Sequence, residues 1–274
     1  MKEDMHGRVP ALADMRAQIR ERNYIEIPFL LDRAYFETAA KQFMNFLSYP
    51  DTFKSQFHFK LYPDDDGSDV GYVRTISATG KDDKEYFHYH PLIEERYAEL
   101  IHEDDVITRE FFDAAAVIYH NAEESLDAIL TEFTAEFPGL REQFFVHNTP
   151  RRFYLRFLKY ETRGLGKFLA RAHYDRGGCT LALSESAPGL RIGVDDAHLQ
   201  EVTHKEHMAV FMPALRFPEL TSFDFPSAWH DVVQSSREQY TENVARWAIV
   251  FFADTHDMRA PSTEETHTPR KSKH

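Results

Sequence analysis

The sequence is short of cysteine and of long apolar runs. Its 274 residues include a single cysteine, Cys179, so no internal disulfide can form, and this favours a reducing compartment. The longest apolar runs, such as residues 247–253, are far too short to cross a bilayer. The first ten residues are polar and mixed in charge, unlike a secretory signal. We therefore expect a cytoplasmic protein with no membrane-spanning segment.

Positive charge is also scarce. The chain has 32 Lys and Arg against 45 Asp and Glu, which gives a formal net charge of −13. Such a surface repels phosphate groups, which argues against nucleic acids and anionic membranes as partners. Apolar residues make up 42% of the chain and aromatic residues 14%. This is enough to bury a sizeable core, and the length fits one large domain or two small ones.

The hydrophobic pattern changes near residue 150. Before it, apolar residues recur at helical spacing, and the strongest series runs over 111–137 at intervals of three or four. After it, short alternating segments are separated by turn signals such as Gly177-Gly178, a pattern typical of a barrel or sandwich. We predict a mainly helical region over 1–150, a β core over 151–254 and a flexible tail over 255–274.

A histidine and an aspartate stand two residues apart at His173 and Asp175, so both face the same side of a predicted strand. His230 lies on a later strand candidate. Two neutral nitrogens and one carboxylate on one side of a metal form a triad that leaves positions open and suits non-haem Fe(II) oxygen chemistry. The alternative is a hydrogen-bonded surface pair and a core histidine, because a chain with 15 histidines contains chance pairs.

Two further histidine pairs compete as metal ligands, namely His88-x-His90 and His204-x-x-His207. Neither pair has a companion ligand in a recognisable motif. We therefore interpret both pairs as surface or structural residues.

Five motifs follow one another from the first of the three candidate ligands to the last strand candidate. They are His173-x-Asp175-x-Gly177, Thr180-Leu181, Pro188-Gly189-Leu190-Arg191-Ile192, Ser227-x-x-His230-x-Val232 and Arg246 at the head of an apolar strand. Segments in the first half are Phe46-Leu47-Ser48-Tyr49-Pro50, Gly71-Tyr72 and Lys84-Glu85-Tyr86-Phe87. In this order they resemble the isopenicillin-N-synthase-like family of Fe(II)/2-oxoglutarate-dependent dioxygenases. The resemblance covers nearly the whole chain except the tail.

The resemblance implies an α+β fold with a mainly β core. It implies a single oxygenase domain over 1–254, built on a double-stranded β-helix (jelly roll) with surrounding helices, one of them a long helix that backs the outer face. His173, Asp175 and His230 would hold Fe(II) as the catalytic centre. The co-substrate 2-oxoglutarate would chelate two of the open positions, and O₂ would bind last.

The resemblance also implies a co-substrate site at Arg246 and Tyr160. A guanidinium presents a fixed fork of donors to the distal carboxylate of 2-oxoglutarate, and the Tyr160 hydroxyl would add to the site. The family usually has serine two residues after the arginine, where this chain has Ala248. A methyl group cannot donate a hydrogen bond, so another donor such as Tyr160 must compensate. Arg156 shares the strand face of Tyr160 and could bind an anionic substrate, the alternative being an outer salt bridge.

The predicted activity is oxidation of a small molecule, most simply hydroxylation of an unactivated C–H bond with release of succinate and CO₂. The lack of a recognisable second domain favours a free metabolite, such as an amino-acid derivative or a specialised metabolite, over a macromolecule. Two alternatives stay open. One is an iron-dependent oxidase of the same fold that does not use 2-oxoglutarate, and the other is a non-enzymatic binding protein on this scaffold.

Overall fold

The computed structural model describes residues 8–65, 67–75, 84–101, 105–235, 240–256 and 263–269. Its helices are α1 Leu12–Arg22, α2 Arg33–Leu47, α3 Asp51–Lys54, α4 Leu92–Arg96, α5 Val106–Thr134, α6 Leu140–Phe144, α7 Phe217–Leu220 and α8 Thr263–His267. Its strands are β1 Ile25–Pro28, β2 His58–Lys60, β3 Asp69–Thr75, β4 Lys84–Tyr89, β5 Phe153–Glu161, β6 Phe168–His173, β7 Cys179–Glu185, β8 Leu190–Gly193, β9 Gln200–Glu201, β10 Met208–Pro213, β11 Trp229–Val233 and β12 Val244–Ala253. No helix within these ranges combines the length and the apolar character needed to cross a bilayer.

The strands form two antiparallel sheets. The large sheet has the order β1-β10-β7-β12-β5-β4-β3-β2, and the small sheet has the order β6-β11-β8-β9. From β5 onward the chain passes back and forth between them, so that β5, β7, β10 and β12 lie in the large sheet and β6, β8, β9 and β11 in the small one. The predicted combination of helices with an antiparallel β core is confirmed.

Four strands from the first 150 residues also belong to the large sheet. β1 pairs with β10, with Ile25 opposite Phe211, and β4 pairs with β5, with Phe87 opposite Phe157. These strands are three to seven residues long, too short for alternation alone to reveal them. Strands from both sides of the division predicted at residue 150 therefore belong to one sheet.

The long helix α5 packs its apolar face against the large sheet. The Asp105 side chain caps its first turn by accepting a backbone N–H at 3.0 Å. Phe111 packs edge-to-face on Phe157 of β5 with ring centroids 5.0 Å apart, and Tyr119 packs on Phe251 of β12 at 5.4 Å. Burial of a side chain of this size contributes about 1.5–3 kcal/mol. The helix therefore gives β5 and β12 a rigid apolar backing.

Part of the segment predicted as a flexible tail is helical. Residues Thr263–His267 form α8, and the backbone N–H of Tyr174 donates to the carbonyl oxygen of Thr266 at 2.8 Å. The ring of His267 lies nearly parallel to that of His173, with centroids 6.1 Å apart. The polar composition of the tail gives no indication of these tertiary contacts, which hold α8 against the end of β6. The rest of the predicted tail beyond residue 256, at 257–262 and 270–274, lies outside the described residues.

Candidate metal centre and its cavities

Three side chains converge at one end of the small sheet. His173 is the last residue of β6, Asp175 follows it by two residues, and His230 lies on β11 opposite His173. Asp175 Oδ1 lies 3.7 Å from Nε2 of His173 and 3.7 Å from Nε2 of His230. One potential ligand atom of each residue lies within 4.8 Å of the other two, and no second group of this kind occurs in the described ranges.

Both histidines are held in the tautomer that a metal ligand needs. His173 Nδ1 lies 2.7 Å from the carbonyl oxygen of Arg171, and His230 Nδ1 lies 3.1 Å from that of Ala228. A carbonyl only accepts, so each Nδ1 carries the proton and each Nε2 keeps its lone pair. Burial and the neighbouring His230 lower the pKa of His173 to about 3. The site therefore presents two imidazole nitrogens and a carboxylate, a donor set that suits Fe(II).

Asp175 is fixed by Thr180 of β7. The Thr180 hydroxyl donates to Asp175 Oδ2 at 2.6 Å, while Oδ1 is the oxygen nearest the two imidazoles. Burial opposes ionisation of Asp175, but His230, His173 and the Thr180 hydroxyl outweigh it and hold the pKa of this carboxyl below its usual value. The carboxylate is therefore ionised and oriented before any metal arrives.

We expect Thr180→Val to weaken Fe(II) binding about 10- to 100-fold, since a partner that orients a metal-bound carboxylate typically has that effect. Valine keeps the branched shape, so the free energy of unfolding of the metal-free protein should fall by at most about 1–2 kcal/mol. Anaerobic Fe(II) titration measures the affinity. Thr180→Ser keeps the hydroxyl and is the control, and equal affinities in the valine and serine variants would contradict the role of Thr180.

An inner cavity of about 70 Å³ adjoins the three residues. Arg246 and Tyr160 both line it, as does Ala248. Arg246 on β12 stands opposite Tyr160 on β5, and the guanidinium carbon lies 5.5 Å from the centre of the phenol ring. Burial raises the pKa of Tyr160, so the phenol keeps its proton. The two residues assigned to the co-substrate from the sequence thus share one cavity beside the candidate metal ligands.

Arg246 has a carboxylate partner within the chain. Its Nη2 donates to Oε2 of Glu185, and Oε1 of Glu185 lies 3.4 Å from Nδ1 of His204. Burial alone would raise the pKa of Glu185, but Arg246 and His204 hold it below its usual value, so the buried pair is ionic. Nε and Nη1 of Arg246 are buried without a hydrogen-bond partner in the described part of the chain. These two donors can therefore take an anionic ligand.

A larger outer cavity, of about 530 Å³, borders two of the three candidate metal ligands. It shares His173, Asp175, Arg156 and Phe252 with the inner cavity. The guanidinium carbon of Arg156 lies 4.6 Å from the ring centre of Tyr86 and 4.5 Å from that of Phe252. Two aromatic faces at this distance stabilise a cation. A positive charge therefore stands where the two cavities meet.

A buried histidine orients Arg156. Arg156 Nε lies 2.6 Å from His88 Nε2, and His88 Nδ1 lies 2.7 Å from the carbonyl oxygen of Asp69. A guanidinium only donates, so His88 accepts at Nε2 and donates from Nδ1. Burial and Arg156 lower the pKa of His88 well below its usual value. Among the described residues no carboxylate lies within ion-pair distance of Arg156, so the outer salt bridge considered for it is not formed there.

Solved structures share this architecture. A Caulobacter crescentus protein assigned to the 2OG-Fe(II) oxygenase family matches with a TM-score of 0.65 at 20% identity, covering 89% of this chain and 81% of its own. Dioxygenase for auxin oxidation 1 from Arabidopsis thaliana, solved with 2-oxoglutarate, matches with a TM-score of 0.66 at 12% identity, covering 92% and 91%. A full-length Neurospora crassa protein, solved with α-ketoglutarate and 5-formyluracil, matches with a TM-score of 0.64 at 15% identity, covering 89% and 79%. The chain has the fold of the 2-oxoglutarate- and Fe(II)-dependent oxygenases. No protein-family model and no curated protein matches the sequence.

Within this oxygenase fold the other histidine pairs have different surroundings. His88 and His90 are buried, and each hydrogen-bonds to a backbone carbonyl, as expected of structural residues. His207 is exposed. His204 lies in the inner cavity beside Glu185. The prediction of a surface or structural residue is therefore incomplete, because His204 also belongs to the candidate site.

Two residues of the oxygenase fold's cavities, Glu185 and His88, were not predicted to belong to the site. Glu185 ends an apolar strand, and its approach to Arg246 depends on the register between β7 and β12. His88 is brought to Arg156 because β4 and β5 pair with these two residues opposite each other. For Glu185 the only sequence signal was a charged residue at the end of a largely apolar strand, which far more often marks a solvated position. For His88 the signal was the pair His88-x-His90.

Proposed function

We propose that this protein is an Fe(II)- and 2-oxoglutarate-dependent oxygenase that oxidises a small molecule, most simply by hydroxylating an unactivated C–H bond with release of succinate and CO₂. One observation carries the proposal. His173, Asp175 and His230 meet at the border of two cavities, with Nε2 of both histidines close to Oδ1 of the aspartate.

Fe(II) is the proposed metal, with His173, Asp175 and His230 as its ligands. Two imidazoles and one carboxylate leave open positions, which suits an iron that must bind other ligands. When bound, iron would supply the activation of O₂ that side chains cannot perform. The chain's own part is to hold the three ligands, through Thr180 and two backbone carbonyls, in the geometry that the metal needs.

The inner cavity is the proposed site of 2-oxoglutarate. Nε and Nη1 of Arg246 are buried donors without a partner among the described residues, and leaving such donors unsatisfied is costly. A carboxylate is the ligand that a guanidinium fork binds best. Tyr160 stands beside this group and Ala248 offers no hydroxyl, so Arg246 is the main anchor for the distal carboxylate.

We further propose that the two sheets form a double-stranded β-helix, or jelly roll, within one oxygenase domain over 1–254. The eight strands β5 to β12 divide four and four between the two sheets, as a jelly roll requires. The large sheet takes strands from both halves of the chain, which supports a single domain.

The outer cavity is the proposed substrate site, and Arg156 is the residue that selects an anionic group. Its guanidinium lies between Tyr86 and Phe252, is oriented by His88, and has no carboxylate partner among the described residues. A half-buried guanidinium that makes no ion pair favours an anionic ligand. The matched Neurospora crassa structure holds 5-formyluracil, which supports a small molecule as the class of substrate.

The proposal is tested by binding and turnover. Fe(II) and 2-oxoglutarate should bind together to the protein without air, and admission of air should release succinate, faster when a substrate is present. The variant His230→Ala is the control because it removes one ligand. A folded protein that binds Fe(II) but never binds or consumes 2-oxoglutarate with any candidate substrate would contradict the proposal.

We expect Arg156→Met to raise the KM for a carboxylic-acid substrate about tenfold or more, since a hydrogen bond to a charged group contributes about 1.5–3 kcal/mol. The measurement compares succinate release stimulated by small carboxylic acids and by their primary amides. The unsubstituted protein should prefer the acids, and the variant should lose that preference. An undiminished preference for acids in the variant would remove Arg156 from substrate recognition.

One observation favours a second function, an iron-dependent oxidase that takes all its electrons from the substrate. Ala248 lines the inner cavity and provides no hydroxyl for the distal carboxylate of a co-substrate. In such an oxidase Arg246 would hold the carboxylate of the substrate itself. Oxygen consumption that requires a substrate but is indifferent to 2-oxoglutarate distinguishes this function from the first.

A further inference from the structure

The inner cavity contains a carboxylate of the protein's own at the place proposed for a ligand carboxylate. Glu185 is the last residue of β7 and stands opposite Ala248 of β12. Its Oε2 accepts a hydrogen bond from Arg246 Nη2, and the exposed fractions are 7% for Glu185 and 3% for Arg246. The contact is therefore a buried ion pair.

This ion pair reduces the number of N–H donors that Arg246 has available for a second carboxylate. One arm of the guanidinium is engaged by Glu185, while Nε and Nη1 remain without a partner among the described residues. A ligand carboxylate could accept from Nη1 or from Nε, but not from both, because these two donors point to different edges of the guanidinium. It would also bring a second negative charge to a single buried cation, and two carboxylates at one buried site repel each other.

His204 compensates part of the charge of Glu185, whose pKa it helps Arg246 to hold below its usual value. Nδ1 of His204 lies 3.4 Å from Oε1 of Glu185, and its Nε2 contacts the carbonyl oxygen of Ala182 at 3.0 Å. Arg33 acts on Glu185 only through its more distant charge and forms its own ion pair with Glu37. Arg246 is therefore the main cation for both carboxylates.

We propose that Glu185 is a specificity residue of the co-substrate site. Glu185 holds one arm of Arg246 and so reduces the preference of the site for a 2-oxo acid with a distal carboxylate over one with an uncharged end. The inference rests on the proposed function, because it assumes that 2-oxo acids bind in the inner cavity. It goes beyond that function because it predicts that the distal carboxylate adds little to the binding affinity of a 2-oxo acid.

The test compares two ligands on the Mn(II)-loaded protein, in which no turnover occurs. 2-Oxoglutarate and 2-oxopentanoate have the same chain length, but only the first has a distal carboxylate. Isothermal titration should give Kd values for the two ligands that differ by less than about tenfold. In Glu185→Gln, 2-oxoglutarate should bind about tenfold or more tightly than before, because Arg246 is then free for it. The affinity for 2-oxopentanoate should change little, so the Kd for 2-oxopentanoate divided by the Kd for 2-oxoglutarate should rise.

Glu26→Gln is the matched control. Glu26 is also buried, at 8% exposed, and forms ion pairs with Arg22 and Lys205, but it lines neither cavity. Its substitution should leave both Kd values unchanged. If Glu185→Gln does not fold, as judged by circular dichroism, Glu185→Asp withdraws the carboxylate by one methylene and should raise the ratio in the same direction.

A ratio of the two Kd values that is no larger in the folded Glu185 variant than in the unsubstituted protein would overturn the inference while leaving the proposed function intact. Failure of both 2-oxo acids to bind the folded, Mn(II)-loaded protein and its variants would overturn the proposed function and this inference with it.

Discussion

Replacing Asp175 by asparagine is expected to abolish succinate release and to weaken Fe(II) binding by at least about a hundredfold. The neutral amide removes the only carboxylate of the three candidate ligands. The fold should persist, because the amide oxygen can still accept the hydrogen bond from Thr180 that the carboxylate accepts at 2.6 Å. The free energy of unfolding of the metal-free protein should therefore change by less than about 1 kcal/mol. Anaerobic Fe(II) titration and urea unfolding measure the two effects.

Asp231→Asn is the matched control, with the opposite pattern. Asp231 is buried and adjacent to His230, but its carboxylate accepts hydrogen bonds from Arg191 and is not among the converging ligands. The variant should lose about 1–2 kcal/mol of stability and keep its affinity for Fe(II). If Asp175→Asn instead retained full Fe(II) affinity, or unfolded while Asp231→Asn did not, Asp175 would be a structural residue and not a ligand.

The candidate metal ligands could be predicted from the sequence because their geometry is mostly local. His173 and Asp175 are two residues apart, and this spacing alone puts them on one side of the chain. His230 lies 57 positions after His173 (230 − 173 = 57), and only its motif connected it to the pair. The structure supplies the physical link, since β6 and β11 are hydrogen-bonded neighbours with the two histidines opposite each other.

Contacts that depend on strand register were beyond the sequence. Arg246 was predicted to lie in a carboxylate site, and its spacing from the apolar residues of β12 gave no indication that Glu185 already occupies one arm. A shift of one residue between β7 and β12 would turn Glu185 to the other face. Sequence periodicity locates strands but does not fix their pairing. The helix over Thr263–His267 was missed for a related reason, because its polar residues acquire order from contacts with β6.

The second large effect concerns the buried pair of Arg246 and Glu185. We expect Arg246→Met to lower the free energy of unfolding by about 3–5 kcal/mol, because it leaves the Glu185 carboxylate buried without its main cation. The same variant should weaken 2-oxoglutarate binding at least about tenfold, since the distal carboxylate then meets a negative charge and no guanidinium. Urea unfolding and titration of the Mn(II)-loaded protein measure the two losses separately.

The double variant Arg246→Met, Glu185→Met separates stability from binding. Replacement of a buried ion pair by apolar residues of similar volume is often neutral or stabilising, so the double variant should regain most of the stability that the single variant loses. It should not regain the affinity of the unsubstituted protein for 2-oxoglutarate, because no guanidinium is restored at position 246. Recovery of both properties would show that Arg246 acts only as the counter-charge of Glu185. A single variant as stable as the unsubstituted protein would contradict the buried ion pair itself, since an unpaired carboxylate at 7% exposure must destabilise the fold or take up a proton.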